Sequence, residues 1–146
     1  MDDVFPSNIG RPAFGVKLLA GPVSLDQQYC SNMVVSRVEK TVHLMTKVQQ
    51  LHDTQCELLL LRNCIGVSKL NFTLRTTNPM AIQSATSLYD QHLLNYLRQL
   101  VVGDGAGFGP VQQRLATLPI KFGGFGVYTM TDTGLWYYSF QLRYQR

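Results

Sequence analysis

The amino-acid sequence predicts a mainly α-helical fold with a short amino-terminal strand or hairpin and a short strand near residues 127–130. Apolar residues recur at intervals of three and four over long stretches, residues typical of helix starts precede these stretches, and segments rich in glycine or proline separate them. With 146 residues, 45% of them hydrophobic, the chain is long enough to bury the core of one domain. We expect residues 13–146 to form this domain and residues 1–12, which lack periodicity, to be a loose lead-in.

The first elements are predicted to be a strand, a turn and a helix. Residues 14–19 form a short apolar run that ends just before Gly21-Pro22, a pattern typical of a strand followed by a turn. Ser24 and Gln27 match a capping box, in which two side chains bind free amides of the first helical turn. The helix that begins there has one apolar stripe, made of Met33, Val34, Val38, Val42, Met45 and Val48. Its charged residues fall elsewhere around the helix and are expected to be solvated: Arg37, Glu39, Lys40 and Lys47.

The middle of the chain predicts two further helices. Thr54 and Glu57 match a second capping box, and the four leucines at 58–61 cover every direction, as expected of a helix buried on most sides. Asn78-Pro79 supplies an N-cap and a first-turn proline for a long amphipathic helix. The apolar stripe of that helix comprises Ile82, Ala85, Leu88, Tyr89, Leu93, Tyr96, Leu97 and Leu100. His92 lies in the same stripe, where we expect a packed or edge residue and not a ligand.

Glycines divide the last third of the chain. Four of the seven residues at 103–109 are glycine, which ends the long helix and predicts a hinge or loop. This segment is not expected to bind phosphate, because no Lys-Ser or Lys-Thr pair follows it and a helix precedes it. Residues 110–118 predict a short helix, and the glycines of 123–126 predict a tight turn before the strand-like residues 127–130.

The carboxyl-terminal segment interleaves aromatic and basic side chains. Trp136 and Phe140 are four residues apart, which places them on one helical face, and we expect both in the core. Five other residues allow two interpretations, either stacking and phosphate contacts with a nucleic acid or closure of a helical core: Lys121, Tyr128, Arg143, Tyr144 and Arg146.

Residues suited to catalysis or metal binding lack supporting context. Cys30, Cys56 and Cys64 are odd in number, have no CxxC spacing and form no metal quartet with the three histidines, so we predict reduced interior thiols and no metal site. Asp2 and Asp3 lack the preceding strand that a catalytic carboxylate hairpin needs, and the other acids are isolated. The sequence therefore predicts no active site and no cofactor.

The chain carries no pattern for secretion or membrane insertion. Its start has no basic region followed by an apolar core, and no apolar run reaches 18 residues. We accordingly expect an intracellular protein, nuclear or cytoplasmic, that is not secreted and has no membrane partner.

Charge is the main pointer to a partner. Thirteen Lys and Arg against nine Asp and Glu give a net charge of +4, which favours polyanions. Between Glu57 and Asp90 there is no acid, while Arg62, Lys69 and Arg75 recur every six or seven residues. On one helix these cations would lie along one side about 10 Å apart, a spacing suited to phosphates. An ordinary solvated helix face would produce the same pattern, so both interpretations stay open.

Four strings in the chain resemble a known family. In order, they are GVKLLAGPVS, LHDTQCELLLLRNC, LRTTNP and LPIKFGGFGVY. Together they are similar to the post-palm and thumb region of non-LTR (LINE-type) retrotransposon reverse transcriptases, most closely to plant reverse-transcriptase-like proteins. The resemblance runs from about Arg11 to Tyr138. Ala20 departs from it, because the relatives usually have glycine there, and this puts the geometry of the turn in question.

The resemblance implies a helical, thumb-like bundle from an RNA-directed DNA polymerase. Such a bundle would grip the template–primer duplex, an RNA or an RNA–DNA hybrid, through backbone contacts. Lys17 would lie near the primer-grip strand, and Arg62, Lys69 and Arg75 would be phosphate contacts by position, with Lys121 as a further nucleic-acid-binding candidate. Because the family's fingers and palm have no counterpart in this sequence, the chain is not expected to be an enzyme on its own.

A different class of function fits the same sequence. The chain would then be a degenerate or exapted helical interaction module, with an apolar surface that meets a polymerase palm or another protein and no nucleic-acid role. A small enzyme with an unrecognised site is a third option. Placement of the cations separates the first two, because a nucleic-acid binder needs them on one continuous surface.

Overall fold

The computed structural model describes residues 12–19 and 21–144, and in residues 138–144 the backbone alone. The fold is mainly α-helical, as predicted, with one antiparallel hairpin among the described residues. Most of the expected lead-in lies outside the described residues, as do Ala20 and the side chains of Phe140, Arg143, Tyr144 and Arg146.

The elements follow one another in the order hairpin, long helix, short helices, long helix, short helix, terminal helix. The hairpin strands are β1 (Val16–Leu18) and β2 (Gly21–Val23), with Val16 opposite Val23. The helices are α1 (Gln27–Gln49), α2 (Thr54–Leu60), α3 (Asn71–Thr76), α4 (Pro79–Val102), α5 (Pro110–Ala116) and α6 (Met130–Tyr144). A π-helical turn at Leu61–Ile65 extends α2, and 3₁₀ helices occupy Val67–Leu70 and Ile120–Phe122.

The core lies between α1 and α4, which pack along each other, and is completed by the π-helical turn and α6. The predicted stripes are confirmed, since Val34, Val38 and Met45 of α1 are buried together with most of the stripe of α4. His92 is exposed at the edge of the α4 stripe. This agrees with the expectation of a packed or edge residue. No helix in the described residues is both long and apolar enough to cross a bilayer.

The helix starts were predicted within one or two residues, but the two capping boxes were wrong. Asp26 caps α1, because its carboxylate accepts hydrogen bonds from the amides of Gln28 and Tyr29. Asp53 caps α2 in the same way. Aspartate is as good an N-cap as serine and better placed here, and Ser24 instead binds the carbonyl oxygen of Phe14 and so fastens the hairpin to the start of α1. Asn78 caps α4 as predicted.

The segment that begins with α2 is not one helix buried on most sides. Leu59 is 51% exposed, so this segment faces the core on one side only. The helix ends where the π-helical turn meets Gly66, whose missing side chain lets its backbone approach the carbonyl group of Leu61. The chain then changes direction into the 3₁₀ helix and α3, so residues 54–76 do not share one helical axis.

The strand predicted near residues 127–130 is absent from the described structure. Residues 125–129 have no regular secondary structure, and Met130 begins α6. Asp90, on α4, accepts hydrogen bonds from the amides of Met130 and Thr131, at 2.6 and 3.1 Å. Thr129 accepts another from the amide of Asp132. A helix cap supplied partly from 40 residues away therefore replaces the strand that the local apolar pattern indicated.

Three predictions of burial were wrong. Cys56 and Cys64 are exposed thiols, and only Cys30 is buried. Trp136 is 61% exposed, because α6 turns the neighbouring residue Tyr137 toward the core instead. Spacing identified the helical face on which Trp136 lies, but it could not say which face of α6 meets α3 and α4.

Two buried tyrosines of α4 predict a loss of stability at high pH. Burial raises the pKa of Tyr89 and that of Tyr96, and for Tyr96 the hydrogen bond from its hydroxyl to Glu57, 2.9 Å long, adds to the shift. Because both folded-state values lie above the unfolded value of about 10, the stabilisation is complete below that pH and is lost as pH rises above it. We expect the free energy of unfolding to fall by up to about 1.4 kcal/mol per pH unit for each tyrosine.

Urea unfolding at pH values on either side of the unfolded tyrosine pKa measures this effect. Replacing Tyr89 by phenylalanine should remove about half of the slope. This variant loses no hydrogen bond to a described residue, since the Tyr89 hydroxyl has no such partner. An alkaline slope that is the same in the wild type and in the double variant Tyr89→Phe, Tyr96→Phe would contradict the prediction.

Candidate nucleic-acid interface

An open groove of about 630 Å³ lies between the hairpin, α1 and the first 3₁₀ helix. Four cations from three separate segments line it, namely Lys17, Arg37, Lys40 and Lys69. His43 lines it as well, and among the described residues Glu39 is the single acid in its lining. We call this surface the basic groove. Its charge is strongly one-sided, in a chain whose net charge is only +4.

The hairpin places Lys17 at one wall of the basic groove. Lys17 is the middle residue of β1 and pairs with Pro22 of β2. The hairpin packs on both α1 and α3. Gly21 allows the hairpin to lie close to α3. A Cβ atom at this position would stand only 2.9 Å from the Thr76 hydroxyl oxygen, so any other residue would require a shift. The hairpin is thus held where an exposed lysine of β1 lies beside α1.

Helix α1 supplies the longest wall. Arg37 and Lys40 are three residues apart, so they lie on one face of the helix together with Leu44. The buried neighbours Val34, Val38 and Thr41 fix the rotation of α1 against the core. Because that side of α1 is anchored, the Arg37–Lys40 side is directed toward the hairpin and the 3₁₀ helix.

Lys69 closes the third side. It follows Gly66, where the chain changes direction, and it lies beside Leu70, which is fully buried and anchors the 3₁₀ helix. Among the described residues, no acid forms an ion pair with Lys17, Lys40 or Lys69. Their charges are therefore available to an anion in the groove.

The predicted site residues do not lie together on one surface. Lys17 and Lys69 lie together in the basic groove. Arg62 lines a different pocket, and Arg75 lies over the ring of Tyr137, with 5.9 Å between its guanidinium carbon and the ring centroid. Lys121 lies over Phe122, 4.8 Å from that ring's centroid, outside the groove.

The predicted row of Arg62, Lys69 and Arg75 is therefore wrong. It required one continuous helix, and the π-helical turn with Gly66 breaks that helix. Sequence reasoning in turn missed Arg37 and Lys40, which it assigned to a solvated face. Their spacing of three was the available signal, but only the packing of the hairpin on α1 shows what this pair faces.

Other chemistry has little support among the described residues. They contain no group of three or more His, Cys, Asp or Glu side chains placed to hold a metal ion. The loop at 103–109 lies between α4 and α5, as predicted, and lines neither the basic groove nor the Arg62 pocket.

Comparison of the chain with models of protein families, with curated proteins and with solved structures found no match in any of the three. The resemblance of its sequence strings to LINE-type reverse transcriptases consequently stays a prediction.

Proposed function

We propose that this chain is a fragment of a retroelement RNA-directed DNA polymerase that grips an RNA-containing duplex through the phosphate backbone and is not catalytic alone. The observation that carries the proposal is the convergence of Lys17, Arg37, Lys40 and Lys69 on one open groove. Residues far apart in sequence supply one cationic surface there. The four sequence strings support the choice of an RNA–DNA hybrid over other polyanions.

The basic groove is better suited to bind the phosphate backbone of a nucleic acid than to recognise its bases. It is open along its length, and lysine presents a point charge that adapts to phosphates at varied angles. Contacts of this kind fix the position of a duplex but carry no sequence information. Binding should therefore be independent of sequence and should weaken with salt, because each phosphate contact releases counterions.

Charge reversal in the groove tests the proposal. The variants Lys17→Glu, Lys40→Glu and Lys69→Glu should each weaken binding to an RNA–DNA hybrid by a similar factor for different sequences. Each lost contact should flatten the slope of log affinity against log salt by about 0.7 to 0.9. Fluorescence anisotropy with a labelled hybrid at several salt concentrations measures both quantities.

Lys47→Glu is the matched control. Lys47 is also an exposed lysine of α1, but it does not line the basic groove, so its reversal should leave the slope unchanged. The slope of log affinity against log salt should also differ between the wild type and the variant that carries all three lysine reversals. Equal slopes would show that the basic groove does not bind the hybrid. Absence of binding at low salt by a chain that is folded by circular dichroism would overturn the proposal.

A second candidate is a protein-interaction module, and the hairpin favours it. Phe14, Val16, Leu18 and Leu19 are between 51 and 80% exposed, so this end of the molecule presents a run of apolar side chains to solvent. A protein surface such as a polymerase palm is the kind of partner that would cover them. Absence of hybrid binding by the folded wild-type chain, together with binding to a polymerase palm that is lost in Leu18→Ser, would favour this candidate over the groove.

A further inference from the structure

A second concave site lies beside the start of the first 3₁₀ helix. Lys69 and Leu70 line the groove, whereas Val67 and Ser68 line this second site. Its volume is about 500 Å³, within the range of small-molecule sites. We call it the polar pocket, and its walls come from the π-helical turn, the start of α3, the segment at residues 120–128 and α6.

The backbone around the polar pocket is specialised. The π-helical turn directs Arg62 and Asn63 to its wall, and turns of this kind are frequent at functional sites. Gly126 has a φ of +68°, and a Cβ atom there would stand 3.2 Å from Cδ of Arg62. Glycine at 126 thus lets the aliphatic part of the Arg62 side chain pack against the backbone. This contact positions the guanidinium group of Arg62 at the wall of the pocket.

The lining combines one cation, two phenol rings and several amides or hydroxyls. Among the described residues of the lining, Arg62 alone carries a charge, so the pocket favours an anionic group. Tyr128 and Tyr137 offer rings for stacking, although the Arg75 guanidinium already lies over one face of Tyr137. Asn71 offers an amide that can read the edge of a heterocycle.

Two polar atoms at this site have no partner within the described part of the chain. One is the buried Oδ1 of Asn71, a residue that lines the pocket. The other is the hydroxyl of Tyr89, which lies behind Gly66, 3.8 Å from where a Cβ atom on that glycine would stand. Buried polar atoms of native proteins are rarely unpaired, so Asn71 is the lining residue at which a polar partner is missing.

We propose that the polar pocket binds a single nucleotide. Its base stacks on Tyr128 and Tyr137, the edge of the base forms a hydrogen bond with the side-chain amide of Asn71, and its phosphate pairs with Arg62. This goes beyond the basic groove, which contacts the backbone of a duplex. The nucleotide has two possible sources, a free mononucleotide or an unpaired nucleotide at the end of a bound strand.

The chain contains its own reporter for this site. Trp136 is its single tryptophan, and its ring lies edge-on to Tyr137 at 5.4 Å between centroids. A base stacked on Tyr137 should change the emission of Trp136. We expect a saturable change on titration with adenosine monophosphate, and affinity at least about tenfold weaker for adenosine and for ribose 5-phosphate.

Variants assign the contacts. Arg62→Gln should weaken binding of adenosine monophosphate about tenfold and leave adenosine unaffected, because only the phosphate contact is lost. Arg98→Gln, at an exposed position of α4 that does not line the pocket, should change neither ligand. Tyr128→Leu, at a side chain that is 43% exposed, should weaken both ligands and serves as the test if Arg62→Gln does not fold.

Two probes distinguish a free mononucleotide from an unpaired nucleotide at a strand end, and one variant distinguishes the polar pocket from the basic groove. Saturation by the mononucleotide indicates a free ligand, whereas a response only to a hybrid with one unpaired terminal nucleotide, lost in Tyr128→Leu, indicates a strand end. The variant with Lys17, Lys40 and Lys69 reversed should keep its response to the mononucleotide, so failure of the groove leaves the pocket testable. No change of Trp136 emission with either probe, or equal affinities in the wild type, Arg62→Gln and Tyr128→Leu, would overturn the proposal.

Discussion

Replacement of Gly124 by alanine is expected to lower the free energy of unfolding by about 3 to 5 kcal/mol. A Cβ atom at this position would stand 2.5 Å from the carbonyl carbon of Leu118 and even closer to its oxygen. Both are backbone atoms, so no side chain can move aside. The backbone is also held by hydrogen bonds from the amide of Gly124 to Pro119 and from that of Gly126 to Leu118, 3.2 and 3.0 Å long. Urea denaturation followed by circular dichroism measures the loss.

Gly134→Ala is the matched control, with the opposite expected sign. Gly134 lies within α6, and the nearest atom to an added Cβ is a methyl carbon of Leu74 at 3.8 Å, an ordinary contact distance. Because alanine is the better helix former, this variant should gain about 0.5 to 1 kcal/mol. Stability of Gly124→Ala within the error of the wild type would show that the turn at 123–126 can open without cost.

Replacement of Asp90 by alanine is expected to cost about 2 to 4 kcal/mol. Its carboxylate accepts two amide hydrogen bonds at the start of α6 and one from the hydroxyl of Thr131. A negative charge at a helix start also interacts favourably with the helix dipole. Met130, one of the donors, is fully buried, so its amide has no water to replace the lost acceptor. Denaturation measures the total loss, and hydrogen exchange at the amides of Met130 and Thr131 locates it.

Two variants make the result specific. Asp90→Asn keeps one oxygen acceptor and should lose less stability than Asp90→Ala. Asp104→Ala removes an exposed carboxylate in the glycine-rich loop and should have almost no effect. Protection of the Met130 amide that is equal in Asp90→Ala and in the wild type would contradict the role of Asp90 as a cap from outside the helix.

The elements that the sequence predicted well are those whose cause is local. Asn78-Pro79 and the glycines after Val102 bound α4, because an N-cap and a helix-ending glycine act on their own immediate neighbours. The turn at 123–126 was predicted for the same reason, since Gly123 and Gly126 adopt positive φ values that other residues avoid.

The candidate site was predictable in part. The positive charge of the chain followed from its composition, and two cations of the groove, Lys17 and Lys69, were among the predicted site residues. The expected row of cations along one helix was wrong. A spacing of six or seven residues predicts one helical face only while the helix continues, and the helix ends at Gly66, whose backbone lies too close to the carbonyl group of Leu61 for any side chain. Arg37 and Lys40 join the groove because a hairpin packs across α1, which no local pattern encodes.

The sequence by itself determined that the chain is mainly helical, where its long helices begin and end, and that its charge favours a polyanion. Tertiary structure alone decided which cations share a groove, that Trp136 faces solvent, and that residues 127–130 lead into the start of α6 where a strand was expected. The physical reason is range. Caps, turns and apolar periodicity act within a few residues, whereas the cap of α6 by Asp90 spans 40 residues and the basic groove joins residues 17 to 69.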